Sequence, residues 1–472
     1  MNFYNQIKTN SDYIYEKSYT EKNSKFYALV KRNNQKILAT TDDDFGNEIE
    51  DIHYVPINRN TMSIFKEKFP EFYPITIPED KQSFGIGDRL GNATAAHLDV
   101  IKHYNVFPVL AQQSMRELIL TDRTYEDVIN SAALSCFEVG YSDGYAADGD
   151  HLKELPDILD ALRIGCTMIT IDCSDKIGDL DVYEDKEGIG FWDNLSDSEQ
   201  ESMLSIKNEF EVVMSKKVSK EEFLKEIWIY YDSIKYINHI YIETSKAGYK
   251  DINFEISIDE NKSTTTLFGH WFIADMLSGY QFPVFSIAPR FVGEFQKGID
   301  YIGSIEEFKE NVKEHYKISN HFGHRLSFHS GSDKFSVFNS IGEIVKQPYH
   351  IKIAGTNWLE AVRVISVKNK DLFRKIYEIS YENLDKAKKL YDIKTTLQDV
   401  KNINDIDESE YASLLDKDAY RQLLHVCYGY ILEVAELKED IMNLLSEEED
   451  FYYSKLGSHF EKHLTELQAP KK

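Results

Sequence analysis

The chain has 472 residues and 42% apolar content, enough for one large enzyme-sized domain with additions or two to three smaller ones. Asp and Glu number 80 against 54 Lys and Arg, a net charge of −26. A surface this acidic repels phosphate backbones and anionic lipid, which argues against nucleic acid or membrane as partners and demands a local basic cluster for any anionic ligand.

Cys136, Cys166, Cys173 and Cys427 form no CxxC pair, the N-terminus lacks a signal-peptide apolar region, and no apolar run approaches the roughly 18 to 20 residues of a membrane span. The chain therefore reads as a soluble cytoplasmic protein. Residues 1–78 predict a small α+β segment, with "KFYALVKRNNQKILATT" as a hairpin. Over 79–370 short apolar or small-residue runs recur: 83–88, 107–113, 144–151, 166–172, 252–259, 282–289, 325–331 and 350–356. Helical periodicity separates many of them, as in "SIEEFKENVKEHYKI". Eight strand–helix units predict a (β/α)8 TIM barrel, with a doubly wound open sheet as the alternative. The fourth and fifth runs are about 80 residues apart, which predicts a helical insertion over about 176–248. A lid, a dimerisation element and plain elaboration are all open readings of it. Residues 371–472 read as a C-terminal helical region, its start ("DLFRKIYEISYENLDKAKKLY") being the last barrel helix.

In a barrel the C-terminal ends of the strands share one face, where active sites lie. Those ends carry Asp88, Gln112, Gln113, Asp150, His151, Asp172, Asp259, Arg290, His329 and Thr356. In "YAADGDHLKE", His151 is a candidate metal ligand, Asp150 an adjacent acid/base and Lys153 an anion contact. Ala146, Ala147 and Gly149 read as room for metal and substrate to approach the backbone. "FHSGSDK" places a second candidate ligand, His329, before Ser330, Ser332 and Lys334, a turn suited to an anion. "INFEISIDE" puts Glu255, Ser257 and Asp259 on one face, and an inward carboxylate needs a partner such as a metal. His270 either reaches the same site or packs a helix. Arg89, Lys153, Arg290, Lys297 and Lys334 supply the basic cluster for an anion, unless Arg290 and Lys297 pair with Glu294 and Asp300. "GIGDRLG" misses the GxGxxG spacing by one residue, and there is no GxxxxGK[ST], GxSxG or HExxH.

"SFGIGDRLGNATAAH", "VLAQQSMREL", "AADGDHLK", "APRFVGEFQKGIDYIG", "FHSGSDKFSVF" and "HIKIAGTNWLEAVRV" together resemble the tagaturonate (fructuronate) epimerase family. The resemblance spans about residues 80–365, and more weakly the C-terminal helices around "LLHVCYGYIL", and implies a metal-dependent isomerase of hexuronate breakdown that interconverts D-tagaturonate and D-fructuronate at C4. "ADGDH" and "NATAAH" depart from the family's "ADADH" and "ATPGH"-like runs. Asp-His at a strand end with a later "FHSGS" is also similar to class II aldolases, in which two such histidines bind zinc. That likeness implies His151 and His329 as ligands, completed by Glu255 or His270, with zinc first and Mn, Ni or Co as alternatives. A C4 hydrogen is not acidified by a C2 carbonyl, and the chain lacks a nucleotide motif for oxidation. Retro-aldol cleavage of C3–C4 and re-addition then remains, with Asp150 as base and Asp88 or Asp172 serving the other face. Arg89, Gln112, Gln113, Lys153, Arg290, Lys297, Ser330, Ser332 and Lys334 are the expected substrate contacts. The competing readings are an aldolase or epimerase of another ketose, and a non-catalytic aldolase-like subunit. A homo-oligomer is left open.

Overall fold

A computed structural model of the protein describes residues 2–46, 52–178, 190–259 and 263–472. Near the N-terminus, β1 (Tyr13–Ile14), β2 (Thr20–Lys22), β3 (Lys25–Arg32), β4 (Gln35–Thr40) and β5 (His53–Pro56) form an antiparallel sheet. The predicted hairpin is β3–β4. Its two turn residues, Asn33 and Asn34, take φ of +49° and +60°, the pair of left-handed conformations that a two-residue turn of matching twist requires.

All eight predicted barrel strands form. They are β6 (Ser83–Gly85), β7 (Phe107–Ser114), β8 (Ala146–Leu152), β9 (Met168–Asp172), β10 (Asn253–Ser257), β11 (Val284–Ala288), β12 (Arg325–Phe328) and β13 (His350–Lys352). Each pairs in parallel with the next, and β13 closes the ring on β6. Alternation decides what faces where. Ile169, Ile171, Phe254, Ile256, Ile287, Leu326, Phe328 and Ile351 belong to the large apolar core. The residues between them, Thr170, Glu255, Ser286, Ser327 and Lys352, point the other way and are buried polar groups. A lumen this polar is unusual for a packed barrel core and locates the chemistry before any ligand is considered.

Two helical regions take places that their sequence does not announce. The described part of the insertion forms helices Asp197–Val213 and Lys220–Lys246, and the second packs beside helix Leu267–Gly279. It thus stands in the outer ring after β9, and no residue of 190–248 lines the active-site pocket. Residues 179–189 of the predicted insertion lie outside the described residues. At the other end, the last barrel helix is not Lys370–Ala387. That helix packs with Asn357–Lys368 and Asp418–Val426 in a second core. The C-terminal helix Glu449–Glu466 instead packs between Phe335–Ile344 and Thr94–Ile101, filling the eighth place in the ring.

His270 belongs to the outer layer too. Its Nδ1 lies 2.9 Å from His315 Nδ1 and its Nε2 2.9 Å from His324 Nε2, all three rings being buried. It packs a helix and does not reach the pocket, which corrects its assignment as a ligand. Burial brings His315 down to about 4 and His324 to about 3, and burial with its two neighbouring rings holds His270 well below the ordinary histidine range. The folded protein therefore stays unprotonated at these rings while the unfolded chain takes up protons below pH 6.5. Stability must fall as pH drops from about 6.5 toward 4, by about 2 kcal/mol per such histidine at pH 5. Calorimetric melting at pH 7 and pH 5 should show a clear loss of Tm and net proton uptake on unfolding at pH 5. A melting curve indifferent to pH over that window would refute this.

Candidate active site

The C-terminal ends of the strands surround a cavity of about 720 Å³. Gln112, Asp150, His151, Asp172, Asp259, Arg290, His329 and Lys352 line it from the barrel. Leu390, Tyr391, Asp392 and His425 line it from the C-terminal region.

The strand end at Asp150 and His151 is shaped by a break in pairing. Between Gly149 and Leu152 the β8–β9 register shifts, and His151 adopts φ of +53°. A bulge of this kind re-aims side chains, and a left-handed non-glycine residue costs of order 1 kcal/mol or more. The small residues beforehand have another cause than the one expected. A Cβ on Gly149 would fall 2.8 Å from Leu152 Cδ1 and 2.9 Å from Ile169 Cδ1, so glycine makes room for core packing. Ala146 and Ala147 are likewise core residues.

Lys352 is the centre of the charged cluster. Its Nζ pairs with Asp150, lies 2.9 Å from Glu255 Oε1 and 3.6 Å from Asp148 Oδ2, and donates to Thr170 Oγ1 at 2.9 Å. Asp148 also accepts from Gln112 Nε2 (3.0 Å) and from the Thr170 N–H (3.0 Å). Burial opposes ionisation of every carboxylate here. For Asp150, Lys352 with His151 and His329 outweighs it and holds the pKa at about 2. Asp148 lies farther from the ammonium, burial dominates, and its pKa rises to about 6. Burial would discharge Lys352, but the three carboxylates hold it well above the usual lysine range.

His329 lies between two carboxylates. Its Nε2 is 2.7 Å from Glu255 Oε1, and its Nδ1 faces Asp259 Oδ1 at 3.0 Å without hydrogen-bond alignment. Burial would keep the ring neutral, yet Asp259 and Glu255 raise its pKa to about 9. The His151 and His329 rings are 5.1 Å apart. His151 has Asp150 at 3.9 Å from Nε2 and Asp172 at 3.9 Å from Nδ1. The His151 Nδ1 is buried and makes no hydrogen bond, whereas the His329 Nδ1 has the Asp259 carboxylate as its charge partner. Buried imidazole nitrogens seldom lack a partner. With Asp259 alongside, the two rings offer the nitrogen and carboxylate donor types that a divalent ion takes, in place of the proton His329 otherwise shares with Asp259. Among the described residues the group whose ligand atoms all lie within 4.8 Å of one another is a different one, Asp333, His459 and His463. Its lone pairs are in use: His463 Nε2 accepts the Asp333 N–H (3.0 Å), His459 Nε2 meets Asp333 Oδ1 (2.6 Å), and Asp333 Oδ2 pairs with Arg421. That group fastens the C-terminal helix to the loop after β12.

Several expected contacts have other roles. Asp88 does not line the main pocket; its carboxylate accepts the N–H groups of Leu90, Gly91, Ala93 and Thr94 at 2.6–3.2 Å and caps the start of helix Thr94–Ile101. Gln113 is buried and donates to the Asp88 carbonyl. Glu255 lies beneath the pocket, its oxygens taken by His329, Lys352, Thr170 and Ser286, so it orients a ligand and is not placed to be one. Lys334 is at the wall, but its three donors meet the carbonyls of Gln296, Ile299 and Ser332. Burial lowers its pKa to about 7. Arg89, Gln112, Lys153, Asp172, Arg290, Lys297, Ser330 and Ser332 all lie at the pocket. Arg89 is paired with Glu117, Lys153 with Asp175, Lys297 with Ser330 Oγ, and Ser332 Oγ with the Gly355 N–H. The sequence gives no sign of Lys352 as a site member, leaves open whether Asp148 shares the face of Asp150 or braces the turn, and places Asp259 at a strand end on the face of Glu255.

A closed parallel barrel with acid, base and imidazole groups converging on one end defines a (β/α)8-barrel enzyme. The family model described as tagaturonate epimerase (UxaE) matches residues 15–467. The tagaturonate/fructuronate epimerase of Thermotoga maritima is 34% identical over 468 residues, 97% of each chain. The native crystal structure of fructuronate-tagaturonate epimerase UxaE from Cohnella laeviribosi superposes with a TM-score of 0.91 at 33% identity, covering 98% of both chains. A glycerol complex of the same enzyme gives 0.90 at 33% identity and 98% coverage of both chains. The chain belongs to the tagaturonate epimerase family. Among the described residues no helix is long and apolar enough to cross a membrane.

Proposed function

We propose that the protein interconverts D-tagaturonate and D-fructuronate by inverting C4, through retro-aldol cleavage and re-formation of the C3–C4 bond. Family membership supports the substrate pair, and one observation supports the chemistry: the facing rings of His151, whose buried Nδ1 has no hydrogen-bond partner, and His329, whose Nδ1 meets Asp259, with Asp150 and Asp172 beside them. His151, His329 and Asp259 would hold a divalent ion, zinc first and Mn, Ni or Co as alternatives. When bound, it supplies Lewis acidity to the substrate's oxygens.

The remaining work falls to the chain's own residues. Asp150 is ionised across the neutral range and takes the C4 hydroxyl proton as C3–C4 breaks. The products of cleavage are an enediolate and an aldehyde. Lys352, fixed beside Asp150 and kept charged, stabilises the negative charge that builds during cleavage. The aldehyde rotates and the enediolate attacks its opposite face; the proton taken by Asp150 exchanges through solvent to Asp172, on the far side of His151, which delivers it to the new C4 oxygen. Glu255 holds the His329 ring by its Nε2, leaving Nδ1 directed at the pocket side. Incubation of metal-analysed protein with each hexuronate should yield the other and no free aldehyde. Accumulation of the aldehyde fragment would make it a carbon–carbon lyase, and no product from either acid would remove the substrate reading.

A further inference from the structure

His425 lies outside the barrel, on helix Asp418–Val426 of the C-terminal region, yet it lines the pocket. It is 1% exposed, and both its ring nitrogens lack a hydrogen-bond partner. A buried side chain with two polar atoms unsatisfied costs stability unless a ligand completes it. The ring is also held in place by missing side chains. A Cβ on Gly298 would fall 3.3 Å from His425 Cβ, and one on Gly355 3.4 Å from Cε1. Gly298 has φ of +79°, so glycine is favoured there twice over.

The surroundings of the ring are cationic. Burial, with Arg89, Lys297 and Arg421 nearby, holds it well below the ordinary histidine range, so it is neutral and has one N–H to donate. Arg89 reaches from Glu117 to the Gly355 carbonyl (3.3 Å), and Arg421 from Asp333 to the Gly298 carbonyl (2.7 Å). Lys297 binds Ser330 Oγ (2.9 Å), one residue beyond His329. A neutral donor set among cations selects an anionic acceptor. We propose that His425, with Arg89 and Lys297, forms the subsite for the substrate's carboxylate, and that the C-terminal helical region thereby sets the preference for a hexuronate over the uncharged ketohexose. This rests on the substrate class proposed above. Lys334 is excluded from that role by its three carbonyl bonds.

The test compares wild type, His425→Ala, His425→Gln and Lys297→Met on D-fructuronate and D-fructose. The ratio of kcat/KM, acid over ketose, should fall about ten- to a hundredfold in His425→Ala, carried by KM, as expected for loss of a hydrogen bond to a charged group. His425→Gln keeps a donor and should recover part of the ratio; Lys297→Met should lower it without touching the C-terminal helix. Calorimetric Kd values for the same two sugars give the same ratio where ketose turnover is slow. An unchanged ratio in both His425→Ala and Lys297→Met overturns the proposal. If the acid binds preferentially but is not epimerised, the subsite stands and the reaction proposed above fails.

Discussion

Lys352→Met should lower kcat by about a hundred- to a thousandfold and cost about 3–5 kcal/mol of folding stability. The reason is the company Lys352 keeps. Its ammonium is the cation that Asp148, Asp150 and Glu255 share inside the barrel. Without it three buried carboxylates repel one another, and their pKa values must rise until one or more is neutral. Asp150 would then no longer be a carboxylate at neutral pH, and the charge that offsets developing negative charge would be gone. The activity that remains should shift its acidic limb to higher pH, because the base now titrates there. Lys352→Arg, which keeps the charge but not the compact shape, should retain more stability than activity. Urea denaturation and a kcat–pH profile check both parts. A Lys352→Met protein with wild-type kcat would remove Lys352 and Asp150 from the mechanism together.

His329→Ala should lose about a thousandfold or more in kcat/KM, equivalent to about 4 kcal/mol of transition-state stabilisation, and should copurify with little metal. The imidazole is the link between Glu255 below and Asp259 above. Its removal deletes a proposed ligand and leaves Glu255 without one of its partners. Asp259→Asn tests the same site from the other side: it retains the shape, loses the charge, and should bind metal more weakly. His270→Gln is the contrast, since its ring nitrogens pair with His315 and His324 in the outer layer. It should lower stability while leaving the metal content at wild-type level. Metal analysis of the three purified variants beside wild type separates these outcomes. Full metal occupancy in His329→Ala would move the ion elsewhere.

The barrel was legible because each strand is a short run bounded by turn residues, and polar strand ends recur eight times. Even "GYAADGDH", hardly apolar, forms its strand, since alanine and glycine pack where larger residues would collide. What could not be read was side-chain direction. Lys352 in "HIKIAGT" has the ordinary appearance of a strand lysine reaching for solvent; only ring closure between β13 and β6 turns it into the lumen opposite Asp150. Glu255 and Asp259 share a face, so spacing alone does not say which lies under the pocket and which beside it. Asp88 looks like a catalytic strand end, but the loop "RLGNAT" folds back and uses its carboxylate for four N–H groups. His425 lies in "LLHVCYGYIL", a run that weakly resembles the family but assigns the histidine no role, because its place depends on how the C-terminal helices pack over the barrel mouth. Nor does anything in "FYYSKLGSHFEKHLTEL" announce that this helix closes the ring.

The proposed mechanism inverts C4 by breaking the C3–C4 bond and not the C4–H bond. It is tested most directly with D-fructuronate carrying deuterium at C4. Retro-aldol cleavage predicts that the D-tagaturonate formed keeps the label and that kcat/KM shows no primary isotope effect. Loss of the label to water, or a primary deuterium effect on kcat/KM, would contradict it.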